Sequence, residues 1–234
     1  MRALIVGYGK MGKAIETALT QRGHEVAGRF GRKEIFLEGN WAKGCDIAFE
    51  FTTPASAPLI VPLLLSQKIS VLSGTTGWDI APAAKMAREQ GASFLHSSNF
   101  SLGVAALRRA VAAAAAALAP FPEFEPGIAE RHHAAKKDAP SGTACALALD
   151  ISRERRSEGS VPTVSLRQGA QPGEHAVYFE GADETLELVH RARSRSIFAQ
   201  GAVRAAEWMI VSGRAGPLTF DEFFDDLSRK GGAS

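Results

Sequence analysis

Three glycines near the start of the sequence, Gly7, Gly9 and Gly12, constrain the fold more than any other feature. They form a G-x-G-x-x-G pattern in "GYGKMG", which follows an apolar run at residues 3–6 and precedes apolar residues at helical spacing. A strand, such a turn and a helix together let the backbone approach a pyrophosphate at the helix N-terminus. The pattern predicts a dinucleotide-binding turn, and the alternative is a purely structural strand-to-helix turn.

Strand-like and helix-like segments alternate up to about residue 103, which is typical of a parallel, doubly wound sheet. After a long alanine-rich helix, the stretches "VPTVSLRQG", "EHAVYFEG" and "ETLELVHRARS" alternate like strands of an antiparallel sheet. We therefore predict an α/β fold with a Rossmann-type parallel sheet in residues 1–103, joined by C-terminal helices in residues 204–234. Residues 104–203 are predicted to form an α+β domain with a mostly antiparallel open sheet.

The end of the second strand indicates which dinucleotide would bind. A site selective for NAD needs an acid there for the ribose 2′-hydroxyl, but Gly31 stands at that place, among Arg29, Arg32 and Lys33. Guanidinium and ammonium groups suit a 2′-phosphate, so NADPH is favoured over NADH, with Arg32 as the predicted contact. A basic surface loop is the alternative.

Composition restricts the possible partners. The formal net charge of +2 gives no reason to expect nucleic acid, and the apolar run "LIVPLLL" is too short to span a membrane. Cys45 and Cys145 are far apart and are predicted to be buried, reduced thiols. No signal-peptide pattern is present, so we expect a cytoplasmic protein that binds neither nucleic acid nor membrane.

The segment "ERHHAAKKDAPSGTA", residues 130–144, concentrates titratable groups directly before a helix. A metal site is disfavoured, because the adjacent His132 and His133 would point to opposite faces of a strand and no third ligand has suitable spacing. Lys137 fits a solvated charge cluster. The helix start at residues 140–143 favours the third alternative, an anion pocket beside imidazole and ammonium proton donors.

This segment resembles the E-x-H-H-x-x-K-x-D-A-P-S-G-T-A signature of the 4-hydroxy-tetrahydrodipicolinate (dihydrodipicolinate) reductases. Further segments resemble that family in the same order along nearly the whole chain: "GYGKMG", "FTTP", "GTTGW", "SSNFSLGV", "GEH" and "FAQGAVRAAEW". The glycine loop is one residue shorter than is usual for the family, and Lys10 replaces an arginine.

The resemblance implies a role for each matching residue. His132 would be a catalytic proton donor or acceptor and Lys136 a catalytic proton donor, and His133, Gly142 and Thr143 would bind the substrate. The segments that would contact the cofactor contain Gly7, Tyr8, Gly9, Lys10, Met11, Gly12, Gly74, Thr75, Thr76, Ser97, Ser98, Asn99 and Phe100. The implied reaction is NAD(P)H-dependent reduction of a small dicarboxylate, 4-hydroxy-tetrahydrodipicolinate, in diaminopimelate and lysine biosynthesis. The resemblance also implies that residues 104–203 bind the substrate and that their sheet assembles a homotetramer.

Two other hypotheses remain open. One is a related two-domain oxidoreductase acting on an amino acid, such as an aspartate or diaminopimelate dehydrogenase, which would not need the full histidine, lysine and S-G-T set. The other is a nucleotide sensor without catalysis, for which proton donors at His132 and Lys136 would have no use.

Overall fold

The computed structural model describes residues 1–31, 43–157 and 159–231. By its internal contacts the chain divides into two units, one formed by Met1–Phe100 with the segment from Ser196 onward, the other by Ser101–Arg195. In chain order the elements are β1 (Arg2–Val6), α1 (Lys10–Gln21), β2 (Glu25–Phe30), β3 (Ile47–Glu50), α2 (Ala57–Ser66), β4 (Ser70–Ser73), α3 (Ala81–Gln90), β5 (Ser93–His96), α4 (Leu102–Leu118), β6 (Glu125–His132), α5 (Gly142–Arg155), β7 (Thr163–Arg167), β8 (Gly173–Glu180), β9 (Thr185–Ala192), α6 (Ser196–Ser212), β10 (Gly216–Leu218) and α7 (Phe220–Gly231).

The first unit contains a parallel sheet with strand order β10-β5-β4-β3-β1-β2. The chain adds β2 on one side of β1 and β3 on the other, so the direction of winding reverses between β1 and β3. Strands β1, β3 and β4 are buried along nearly their whole length, as expected of strands covered by helices on both faces. The predicted doubly wound sheet is confirmed.

Two details of this unit were not predicted. The edge strand β10 has three residues, one of them Pro217, and reads in the sequence as a turn. Helix α6 begins at Ser196, before the C-terminal helices predicted for residues 204–234, and continues through Gly201. That glycine permits close packing instead of ending the helix, since a Cβ there would lie 1.8 Å from the carbonyl oxygen of Phe100.

The second unit contains a sheet with strand order β7-β6-β8-β9. The pairs β6–β8 and β8–β9 are antiparallel, and the mostly antiparallel sheet is therefore confirmed. The pair β6–β7 is parallel, because helix α5 connects the two strands as a crossover. Apolar residues of α4 and α5, among them Val111 and Leu147, pack on one face of this sheet against Ile128 and Val177.

The prediction that Cys145 is buried was wrong, and Cys45 is only partly covered. Helix α5 turns Ala144, Leu147 and Ile151 inward, at spacings of three and four residues. The residue directly after Ala144 therefore falls on the outer face. Among the described residues, no helix is both long and apolar enough to cross a membrane.

Candidate active site

In the first unit, the predicted cofactor segments follow the carboxyl ends of three strands of one parallel sheet. The glycine loop follows β1, Gly74–Thr76 follows β4, and Ser97–Phe100 follows β5. Strand β1 borders the point where the winding direction reverses. In open α/β sheets this edge, at the reversal point, is where ligands bind.

The glycine loop has the backbone that a pyrophosphate site requires. Gly7 has φ +96°, and a Cβ there would lie 2.0 Å from the carbonyl oxygen of Phe51, so only glycine fits. At Gly12 a Cβ would lie 2.5 Å from the Gly7 carbonyl oxygen. A Cβ at Gly9 would meet nothing within 4 Å, and α1 begins one residue later. The backbone is therefore closely packed at Gly7 and Gly12, and it has open space at Gly9, beside the helix N-terminus.

The loop after β4 is held from below by a buried carboxylate that the sequence analysis did not single out. Glu50 accepts hydrogen bonds from the hydroxyls of Ser73 at 2.6 Å and Thr75 at 2.7 Å, and from the Thr52 N–H at 2.9 Å. Because the Thr75 side chain is used in this way, Thr76 is the exposed hydroxyl of the pair. Gly74 lies against Phe51, where a Cβ would be 2.1 Å from the ring.

The segment after β5 is fixed by its own hydrogen bonds. The Ser97 hydroxyl donates to the Asn99 carbonyl at 2.7 Å, and Ser98 is exposed. The Phe100 side chain is buried, with its ring centroid 5.8 Å from that of Phe51 and 5.5 Å from that of Phe220. Phe100 is thus part of the core, and only its main chain could contact a cofactor.

Side chains around the glycine loop are linked to one another. The Tyr8 hydroxyl donates to Glu16, and Arg29 also donates to Glu16, through Nε at 2.7 Å and through its terminal nitrogen. The Arg29 charge is therefore balanced within the protein. Lys10 is exposed and Met11 is partly covered. Arg32 and Lys33, on which the prediction for the 2′-phosphate depends, lie outside the described residues.

In the second unit, the signature segment runs from the end of β6 to the start of α5. His132 is the last residue of β6 and is largely buried, with its Nδ1 hydrogen-bonded to Glu130. Two residues apart on one strand, these side chains share a face. On the same face Arg167 lies opposite His132 on β7, and His175 lies opposite Glu130 on β8.

Charge and burial set the protonation of this group. Burial alone would raise the pKa of Glu130, but hydrogen bonds from Arg167, Ser165 and His132 lower it to about 2. Burial lowers the pKa of His132, Lys136 and Arg167 add to that effect, and Glu130 opposes it. Burial likewise lowers the pKa of His175 to about 4. At neutral pH Glu130 is an anion and His175 is a neutral imidazole.

The other two predicted basic side chains lie after β6. The Lys136 ammonium donates to both carboxylate oxygens of Asp138, at 2.8 Å each. His133 is partly exposed, and Arg195 donates to its Nε2 at 3.3 Å. Arg195 was not predicted, since it lies 62 residues further along the chain.

The start of α5 has the geometry of an anion site. The Ser141 hydroxyl caps the helix by accepting from the Ala144 N–H at 3.2 Å, and it contacts His175 Nε2 at 3.0 Å. Gly142 and Thr143 are the first two residues of the helix, exposed and partly exposed. N–H groups at the first turn of a helix have no acceptor within the helix and favour an anion.

The buried cluster of Glu130, His132 and His175 could also hold a metal ion. Ligand atoms of Glu130, His132 and His175 lie within 4.8 Å of one another. However, Arg167 donates to both Glu130 oxygens, at 2.6 and 2.9 Å, so a fixed cation already occupies the carboxylate. The geometry therefore favours an internal ion pair, and the absence of a metal stays a prediction.

The parallel sheet with its glycine turn, joined to a unit with buried acid–base groups, defines the class of NAD(P)-dependent oxidoreductases. The family model described as "Dihydrodipicolinate reductase, N-terminus" matches residues 1–100, and "Dihydrodipicolinate reductase, C-terminus" matches residues 103–223. The chain belongs to the dihydrodipicolinate reductase family, as its signature segment predicts.

Individual relatives agree with this membership. A 4-hydroxy-tetrahydrodipicolinate reductase of Christiangramia forsetii is 31% identical over 97% of this chain and 99% of its own length. One from Zymomonas mobilis is 37% identical over 88% of this chain and 90% of its own length. A dipicolinate-bound dihydrodipicolinate reductase from Paenisporosarcina sp. TG-14 has the same fold, with a TM-score of 0.76, 21% identity and coverage of 94% and 97%.

Proposed function

We propose that the protein reduces 4-hydroxy-tetrahydrodipicolinate to tetrahydrodipicolinate with loss of water, in diaminopimelate and lysine biosynthesis. The observation that supports this most is the signature segment, which contains His132, Lys136 and the start of α5 within one unit. The family models match residues 1–100 and 103–223, which is nearly the whole chain. A cytoplasmic location fits a biosynthetic enzyme of this kind.

The first unit would bind the cofactor and the second unit the substrate. A bound NAD(P)H would supply the hydride that the substrate receives at C4. The open backbone at Gly9 and the N-terminus of α1 fit a pyrophosphate, with Thr76 and the main chain of Ser97–Phe100 as further contacts. NADPH is favoured, because Gly31 stands where an acid would be and the basic residues Arg32 and Lys33 follow it.

The chain's own residues would bind the dicarboxylate and move a proton. One substrate carboxylate would accept from the Gly142 N–H and the Thr143 hydroxyl at the start of α5, with His133 as a further contact. The enamine left after reduction requires a proton, which Lys136 or protonated His132 would supply. A dianionic substrate nearby would also raise the pKa of His132 and so favour its imidazolium form.

The test is a kinetic assay with freshly prepared 4-hydroxy-tetrahydrodipicolinate and either NADPH or NADH. His132→Ala and Lys136→Ala should each lower kcat by roughly 10²–10⁴-fold, the usual effect of general acid catalysis. Cofactor Kd should change by less than about threefold, an amount below 1 kcal/mol. A mutant that raised KM alone would show that its residue only binds substrate. Turnover of diaminopimelate instead of the hydroxy acid would contradict the proposed reaction.

A further inference from the structure

The hydrogen bond between Glu130 and His132 is embedded in a larger buried arrangement. Glu130 has no exposed side-chain surface, and both of its oxygens are used. Arg167 donates to Oε1 at 2.6 Å and to Oε2 at 2.9 Å, and the Ser141 N–H donates to Oε1 at 3.2 Å. Ser165 also donates to this carboxylate, and Oε2 contacts Nδ1 of His132. Groups on β6, on β7 and at the start of α5 therefore hold the carboxylate in place.

These contacts determine which nitrogen of His132 bears a proton. An ionised carboxylate only accepts hydrogen bonds, and the guanidinium of Arg167 keeps Glu130 ionised. Nδ1 of His132 must therefore be the donor, in the neutral and in the protonated imidazole alike. Nε2 is left as the nitrogen that can gain or lose a proton. It faces Gly173, where a Cβ would lie only 3.0 Å away.

We propose that Glu130, held by Arg167, is a positioning residue that keeps the proton on Nδ1 of His132 and so reserves Nε2 for proton exchange with the substrate. This assignment rests on the proposed function. In the donating step, the Nε2–H bond of the imidazolium breaks, a C–H bond forms on the reduced substrate, and the neutral Nδ1–H tautomer remains. Without the carboxylate, the product imidazole would have no fixed tautomer or orientation.

Neighbouring charges give Glu130 a second effect on His132. The groups that face the imidazole are Glu130 on its own strand, Arg167 on β7, His175 on β8 and Lys136 beyond the strand end. The two cations lower the pKa of His132, and His175 is neutral. Glu130 is the anion of this set, and its loss would lower the pKa of His132 further.

Glu130→Gln tests the proposal, because it keeps the shape and removes the charge. Arg167 can only donate, so the amide oxygen should turn to Arg167 and the amide N–H₂ to Nδ1, which shifts the His132 proton to Nε2. We expect kcat to fall about 10²-fold. The decline of kcat at alkaline pH should move about one unit lower, because the imidazolium loses its anionic partner.

Asp150→Asn is the matched control. Asp150 is also buried in the second unit and accepts from Arg108 at 2.7 and 3.0 Å, but it lies on α5, away from the His132 ring. The Asp150→Asn substitution should reduce stability about as much as Glu130→Gln does. It should leave both the pH dependence of kcat and the His132 tautomer unchanged. A loss shared equally by the two mutants would mean that Glu130 is merely structural.

Nitrogen-detected NMR of the histidine rings, assigned by comparison with His132→Ala, tests the assignment without catalysis or a folded Glu130 mutant. In the wild-type protein above the His132 pKa, the ring proton should be on Nδ1. A proton on Nε2 would overturn the assignment. A wild-type protein that shows the Nδ1–H tautomer but does not reduce the hydroxy acid would disprove the proposed function while leaving the Glu130–His132 pair established.

Discussion

At the scale of single residues, the buried imidazole of His175 should make folding sensitive to mild acid. Its pKa is lowered from 6.5 to about 4 by burial, so between these values the unfolded chain binds a proton that the folded chain does not. Stability is therefore fully present above pH 6.5 and declines as pH falls to 4, by roughly 3 kcal/mol in total. Glu130 acts in a separate window, below pH 4.5.

Urea unfolding at pH 7, 5.5 and 4.5 measures this dependence, with His175→Gln as the comparison. The mutant is expected to be less stable at pH 7, because it loses packing, yet to lose much less stability between pH 7 and 4.5. If wild type and mutant decline in parallel over that range, His175 is not the group responsible.

The sequence predicted part of this cluster and could not predict the rest. His132 and Lys136 follow from the signature segment, and Glu130 could have been recognised, because residues two apart on a strand share a face. Arg167 and His175 lie 35 and 43 residues beyond His132 in the sequence. Only the register of β6 with β7 and β8 places their side chains next to His132 and Glu130. Register depends on how whole strands pack, and no local sequence pattern predicts it.

At the scale of elements, the close packing of α6 against the Phe100 main chain depends on one glycine. A Cβ at Gly201 would lie 1.8 Å from the Phe100 carbonyl oxygen, a main-chain atom that cannot rotate away. Gly201→Ala should therefore reduce the free energy of unfolding by about 1–3 kcal/mol, as overpacking does, although alanine is the better helix former by about 1 kcal/mol.

Thermal and urea unfolding of the purified mutant checks this, with Gln200→Ala as a control on the exposed side of the same helix. The control should stay within about 0.5 kcal/mol of wild type. A Gly201→Ala protein as stable as the control would mean that the helix and the Phe100 segment separate without cost.

Elements with strong local patterns were predicted well, and those defined by their neighbours were not. The apolar run of β1, the glycine turn and the helices α1 to α5 all have a local signal. Strand β10 has three residues and a proline, and it is a strand only because β5 offers an edge. Likewise, nothing within β7 states that it runs parallel to β6.

At the scale of the whole molecule, we predict that the protein self-associates through the sheet of the second unit. Val164 and Leu166 of β7 are 69% and 44% exposed, and they point to the face opposite the partly buried Arg167. Among the described strands, β7 also lies at an edge of its sheet, where backbone groups can pair with another chain. Such a surface is typical of an interface between subunits. The homotetramer that the family resemblance implies stays a prediction, and this surface is where we expect its subunits to meet.

Light scattering coupled to gel filtration should give about four times the 24.8 kDa mass of one chain for the wild-type protein. Val164→Asp with Leu166→Asp places two carboxylates on this face, where burying them between subunits would cost several kcal/mol without a partner charge. The double mutant should therefore elute as smaller species. Leu59→Asp, at a residue 75% exposed on α2 of the first unit, is the control and should leave the mass unchanged. A double mutant that remained tetrameric would place the interface elsewhere, and a wild-type monomer would contradict the assembly altogether.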